Sequence, residues 1–142
     1  MVKMVTLSIL TEKPVQFLNI TGKVLDFVAG SGLNNGQVAV ITSHTTTGIL
    51  VQESLECLET DMDECLDRLI PKDAPYAHAH FLRSYGATGN NSTGHLKAIL
   101  IGNNCVFPVI NRELIHGDAQ DIYFVEFDGP QLRKIFIEVI GE

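Results

Sequence analysis

Four of the five histidines in this chain fall within three short polar segments separated by apolar runs. Thr42-Ser43-His44-Thr45-Thr46-Thr47-Gly48 is the first, Tyr76-Ala77-His78-Ala79-His80 the second and Gly94-His95 the third. Imidazole is a good neutral metal ligand and also titrates near neutrality. Imidazoles that meet from separate segments therefore make a first-row metal site or an acid–base site. Three such histidines around one open coordination position would suit zinc and an activated water. Nickel, iron or manganese accept similar donors, and crowded imidazoles without a metal can bind an anion once protonated. The spacing matches no short metal signature such as HExxH, and the competing reading is of separate surface or core histidines.

Other polar residues could serve the same site. His78 and His80 share a parity, so in an extended segment either one reaches a common point. Glu53 ends the strand that follows His44 and is a candidate ligand, second partner or proton acceptor. It could equally be an electrostatic cap for the helix after it. In His116-Gly117-Asp118-Ala119-Gln120-Asp121, Gln120 and Asp118 could orient a substrate or a histidine N–H; the plainer reading is a strand-to-strand turn. The stretch from Gly86 to Gly94 could cradle phosphate on backbone N–H groups. It lacks the Gly-Lys-Ser/Thr ending of a P-loop and reads as a strand approach rather than a helix start, which favours a lid or surface loop. No nucleophile elbow is present and no cysteine lies beside a histidine, so covalent catalysis has little support.

The elements that must position these residues are mostly strands. Val5 to Leu10 alternates apolar and polar residues. Thr21-Gly22 opens a helix on which Val24, Leu25, Phe27 and Val28 recur at helical spacing. Val38 to Thr42 and Gly48 to Glu53 are strands on either side of His44. The dominant helix is expected over about 54–70. Leu55, Leu58, Met62, Cys65, Leu66 and Leu69 form its apolar stripe, with Ser54 as N-cap and Pro71 after its end. Cys57 and Cys65 then read as packing residues. From Pro71 to Gly94 no period emerges. Strands follow at Leu96–Ile101, Cys105–Ile110, Ile122–Phe127 and Lys134–Ile140, joined by turn-rich segments. The expectation is a single α+β domain over residues 1–142, mostly antiparallel, with one dominant helix.

Composition narrows the partners. A chain of 142 residues with 45% hydrophobic and 19% charged residues is globular and long enough for a real core. A net charge of -7 with scattered Lys and Arg argues against binding a nucleic-acid backbone. No apolar run approaches the length of a membrane span, and the start lacks a signal-peptide layout. Three cysteines with no close CxxC pair suggest neither a disulfide framework nor a thiolate zinc site. A cytoplasmic, reduced protein is the plain expectation.

Several motifs in order carry a resemblance. They are His44-Thr45-Thr46, the strand ending at Glu53, Asp73-Ala74-Pro75-Tyr76-Ala77-His78, Gly94-His95-Leu96-Lys97 and Gly117-Asp118-Ala119-Gln120-Asp121-Ile122-Tyr123. Glu126-Phe127-Asp128-Gly129-Pro130 and Arg133 close the set. The chain resembles the YjbQ-like family, whose members are often described as secondary thiamine-phosphate synthases. The resemblance implies a compact, strongly β sandwich with a jelly-roll-like core and a homotrimeric assembly. It also implies a polar site of His44, His78 and His95 with the Glu53 carboxylate; in the leading reading Gln120 positions substrate there. Where many members read Gly-Thr-Trp-Gln, this chain has Ala119 in place of the tryptophan. The expected function is thus a small enzyme with a metal- or phosphate-binding histidine site, thiamine-phosphate synthesis being the activity the family implies. A non-catalytic small-molecule or metal-binding module and a metal-dependent hydrolase are the rivals.

Overall fold

Two antiparallel sheets form the frame of the computed structural model, which describes residues 1–78 and 91–142. In chain order the elements are β1 (Val2–Leu10), β2 (Gln16–Asn19), α1 (Thr21–Ser31), β3 (Gly36–Thr42), β4 (Thr47–Gln52) and α2 (Glu56–Leu69). After the segment outside the described residues come α3 (Ser92–Ile101), β5 (Asn104–Ile110), β6 (Glu113–Leu114), β7 (Asp121–Glu126) and β8 (Leu132–Gly141). The larger sheet has the order β1-β8-β3-β5-β6 and the smaller β2-β7-β4. The expected α+β fold with antiparallel pairing is what the chain adopts. No helix among the described residues is long and apolar enough to cross a membrane.

The sheets share one core. Val38 and Val40 of β3, Phe107 and Val109 of β5, and Ile135, Ile137 and Val139 of β8 supply the larger sheet's inner face. Ile49, Ile122 and Phe124 of the smaller sheet and Val24 and Val28 of α1 complete this cluster. The alternate residues of β7, Tyr123 and Val125, join a second cluster with Leu66 of α2, Ala98 of α3 and Phe127. The smaller sheet is therefore a middle layer, covered by the large sheet on one face and by α2 and α3 on the other. That explains the unbroken apolar run of β7: a strand buried on both faces needs no polar alternation.

Several expectations about elements need correction. The strand expected at residues 96–101 is the C-terminal part of α3, so three helices are described where the sequence suggested two, with α2 still the longest of them. A short apolar run such as Leu96 to Ile101 has no period that separates strand from helix, and tertiary packing chooses. Gly94 lets the helix close down on the Phe127 carbonyl oxygen, which would lie 3.0 Å from an added Cβ. Gly48 of β4 does the same at the other end, where a Cβ would lie 2.6 Å from Ile101 Cγ2. The residues before Ser92 thus do precede a helix, although residues 79–90, with His80 and most of the proposed phosphate loop, lie outside the described residues.

Helix α2 begins at Glu56, and Ser54 is not its cap. Ser54 Oγ instead accepts from Asn19 Nδ2 at 3.2 Å and lies 2.8 Å from the Tyr123 hydroxyl. Its stripe is also narrower than the spacing suggests. Leu66 is buried and Leu58 and Met62 half-buried, but Leu55, Leu69, Cys57 and Cys65 are exposed. The helix touches a single face of a small sheet, so only one line of side chains reaches the core.

Candidate functional site

His44 lies in the loop that carries the chain from β3 in one sheet to β4 in the other. The crossover is braced from within: Thr42 Oγ1 and Thr47 Oγ1 are 2.6 Å apart, and Thr47 Oγ1 donates to the His44 carbonyl at 2.9 Å. Beneath it lies a buried ion pair. Arg133 Nε and Nη2 donate to the two oxygens of Glu126 at 2.8 and 2.7 Å, and Nη2 also donates to Thr46 Oγ1 at 2.9 Å. Glu126 accepts further bonds from Thr11 Oγ1 and from the Asp128 backbone N–H. Burial alone would raise the Glu126 carboxyl, but the Arg133 guanidinium with these donors holds it below the usual carboxylate range.

The bonding of His44 settles its tautomer. The backbone N–H of Lys134 donates to His44 Nε2 at 3.1 Å, so that nitrogen offers its lone pair. A neutral ring then carries its proton on Nδ1. Burial, and next the Arg133 charge, lowers the His44 pKa below the ordinary 6.5, so the ring is neutral at pH 7 and presents a single N–H.

A cleft of about 530 Å³ runs from this loop along α3, walled by Ser43, His44, His95, Ala98, Ile99 and Asn103 among others. His95, in the first turn of α3, also forms a wall of a second cleft of about 420 Å³ with Tyr76, Ala77, His78, Ser92 and Leu96. The His78 and His95 rings meet edge to face with centroids 5.2 Å apart. The buried Ser92 Oγ, at the start of α3, has no hydrogen-bond partner among the described residues. Two clefts, each with its own histidine, therefore meet at His95.

The remaining candidates lie elsewhere. Glu53 is exposed just past the far end of β4, and Gln52 pairs with Asp121, which places Gln120 at that same end. The six residues of β4 separate them from His44 by roughly 20 Å at ~3.3 Å per residue. Gln120 Oε1 accepts from the Gly117 N–H at 2.8 Å, and its carbonyl meets His116 Nδ1 at 3.1 Å, closing the turn on itself. Within one chain, then, His95 shares one cleft with His44 and a second with His78, and Glu53 and Gln120 line neither. Of the basic residues, Lys97 is buried and paired with Asp67 of α2, and Arg112 sits in the β5–β6 turn at the sheet's opposite end. Among the described residues no three His, Cys, Asp or Glu side chains are grouped closely enough to hold a metal ion. A His44–His78–His95 metal set does not fit this geometry, because the His44 Nε2 lone pair is already engaged.

Residues that spacing alone could not reveal are Asn91 and Asp128. His78 Nε2 lies 2.6 Å from Asn91 Oδ1, and Asn91 Nδ2 donates to Asp128 Oδ2 at 3.0 Å. The three are remote in sequence, and only the Asp128-Gly129-Pro130 turn, itself an ordinary-looking loop, hints at them.

A family model described as UPF0047 protein YjbQ-like matches residues 5–142. The chain belongs to the YjbQ-like family. A UPF0047 protein of Methanothermobacter thermautotrophicus is 35% identical over 132 residues, which is 93% of this chain and 87% of that protein. The UPF0047 protein YugU of Bacillus subtilis is 34% identical over 136 residues, covering 96% and 98% of the two chains. Among solved structures, a Sulfolobus solfataricus protein of unknown function superposes with a TM-score of 0.92 at 28% identity, covering 100% of this chain and 99% of its own. A YjbQ/UPF0047 protein of Clostridium acetobutylicum does so with a TM-score of 0.85 at 35% identity, covering 96% and 99%. The family match and these superpositions thus span nearly the whole chain.

Proposed function

We propose that this YjbQ-like chain binds a small, oxygen-rich molecule, phosphate-bearing in the first instance, in the two clefts that meet at His95. The observation that carries the reading is the shared His95 wall together with the fixed ring of His44. A neutral N–H on the rim of a cleft is a donor to a ligand oxygen that demands no proton transfer of its own. The unpartnered Ser92 hydroxyl adds a second polar group near His95, while Ile99 and Leu96 give the ligand apolar walls. Concave sites that are mostly apolar, with a few convergent polar groups, are the usual form of small-molecule sites.

Thiamine-phosphate synthesis, which joins a pyrimidine pyrophosphate to a thiazole phosphate and releases pyrophosphate, is the activity we would assay first. The commitment of Lys97 to Asp67 and of Arg133 to Glu126 counts against strong pyrophosphate handling by one chain. The direct test is titration of the labelled protein with inorganic phosphate and with pyrophosphate, following the His44 and His95 ring signals. We expect both to shift and the response to vanish in His44→Ala. Rings that stay put at millimolar anion would sink the reading.

A metal reading is favoured by one distance. Two imidazoles on one tetrahedral zinc at ~2.0–2.1 Å would have centroids about 5 Å apart, close to the 5.2 Å between His78 and His95. Those two would hold the ion with ligand or water oxygens completing the shell, and a metal-dependent hydrolase would then be the activity. Elemental analysis of protein purified without a histidine tag decides this, with less than a tenth of an equivalent (order of magnitude) ruling it out.

Assembly belongs to the same proposal. Ile99 is 75% exposed on the rim of the His44 cleft, and Leu100 beside it is 57% exposed. Apolar side chains of this size next to a site favour burial against another subunit. We therefore propose the homotrimer that the family resemblance implies, with the clefts near the subunit boundaries.

A further inference from the structure

We propose that Asn91 and Asp128 are positioning residues that hold His78 in the tautomer opposite to that of His44, making it the oriented hydrogen-bond acceptor of the site. The inference rests on the reading of the histidine clefts as a ligand site, and it names what the ligand must bring to each of them. A carboxylate oxygen offers only lone pairs, so the 3.0 Å contact to Asp128 Oδ2 must be donated by the Asn91 amide nitrogen. That donation turns Asn91 Oδ1 toward His78, where at 2.6 Å it can only accept. His78 Nε2 therefore carries the proton, and Nδ1 of the neutral ring is the bare nitrogen.

The orienting chain is anchored in the core. The Asp128 N–H donates to Glu126 Oε2 at 3.1 Å, and Glu126 is clamped by Arg133 and Thr11. Such a partner behind an imidazole fixes both the ring plane and the tautomer. The two histidines consequently ask for opposite groups. His44 presents an N–H and takes a ligand oxygen; His78 presents a lone pair and takes a ligand O–H or N–H. The class that satisfies both is a small molecule bearing an oxyanion and, separately, a hydroxyl or amino group.

The test needs no ligand. In full-chain protein labelled with nitrogen-15 and stripped of metal with EDTA, His78 should show a slowly exchanging Nε2–H correlation and an unprotonated Nδ1. Asn91→Ala should lose the Nε2–H signal while the backbone amide spectrum is retained. Asp128→Ala should weaken it, because the Asn91 amide is free to turn over, and Asp128→Asn, which keeps an accepting oxygen, should restore it. A proton on Nδ1 in the parent protein, or an unchanged Nε2–H in Asn91→Ala, would overturn the inference; the parent spectrum alone decides if the variants fail to fold. Silence of His44 and His95 toward phosphate would defeat the ligand-site reading instead, so the two failures are told apart.

Discussion

Glu126 and Arg133 illustrate how a residue's surroundings set its worth. Glu126 is fully buried, and its four hydrogen bonds, two of them from Arg133, leave neither oxygen unpaired. Removing one partner of a buried pair strands the other charge, so Glu126→Gln should cost about 3–5 kcal/mol in urea unfolding. Its pKa is lowered on folding, so it contributes stability above the unfolded carboxyl pKa, a contribution lost as pH falls through the lower folded value. His44 adds to the acid sensitivity in the same direction. Its folded pKa lies below 6.5, so under acid the unfolded chain takes up that proton first and stability declines as pH drops below about 6.5. Stability measured from pH 8 to pH 4 should therefore fall toward acid, and His44→Ala should flatten the upper part of that fall. His44→Ala itself should change stability at pH 8 by no more than about 1 kcal/mol, because the ring is half-exposed and gives up one hydrogen bond. A larger loss would mark His44 as structural.

At the scale of elements, α3 decides whether the site exists, since it carries His95 and one wall of each cleft. Its seat on β4 depends on Gly48, where a Cβ would meet Ile101 Cγ2 at 2.6 Å and the Gly102 carbonyl oxygen at 3.1 Å. Gly48→Ala should therefore destabilise by about 1–3 kcal/mol and shift the His95 ring signal, read by thermal unfolding and NMR. Lys97 ties α3 to α2 through Asp67, and the two ends are unequal: the lysine side chain is 4% exposed, the aspartate 50%. Asp67→Ala leaves a buried ammonium without its partner, whereas Lys97→Met replaces it with an apolar chain of similar shape. We expect the aspartate change to cost more, by about 1–2 kcal/mol, and equal costs would refute the ion pair as the fastening.

On the scale of the molecule, the exposed strip of Ile99 and Leu100 meets the cleft mouth, so assembly and site are coupled in the proposed trimer. Light scattering at micromolar concentration should give three times the 15.6 kDa of one chain. Ile99→Asp and Leu100→Asp together should lower that mass, since a charge in an apolar contact is costly to bury. A parent protein that already scatters as a single chain removes the trimer.

Much of this was legible from residue order. Alternation in Val5 to Leu10, the helix after Thr21 and the turn residues around Asn111 are local signals, because side-chain period and backbone preference act over a few residues. The ordered motifs carried the family. Tertiary structure alone decided that Leu96 to Ile101 winds into a helix, because an apolar run obeys whichever neighbour buries it, here Phe127 and β4. It alone placed Glu53 and Gln120 at the opposite end of β4 from His44, since strand direction and sheet partner depend on pairings far apart in sequence. The tautomers of His44 and His78 were beyond sequence for the same reason. Each is fixed by a hydrogen bond to a group at a distance, the Lys134 N–H and the Asn91 amide, that only the folded chain brings within reach.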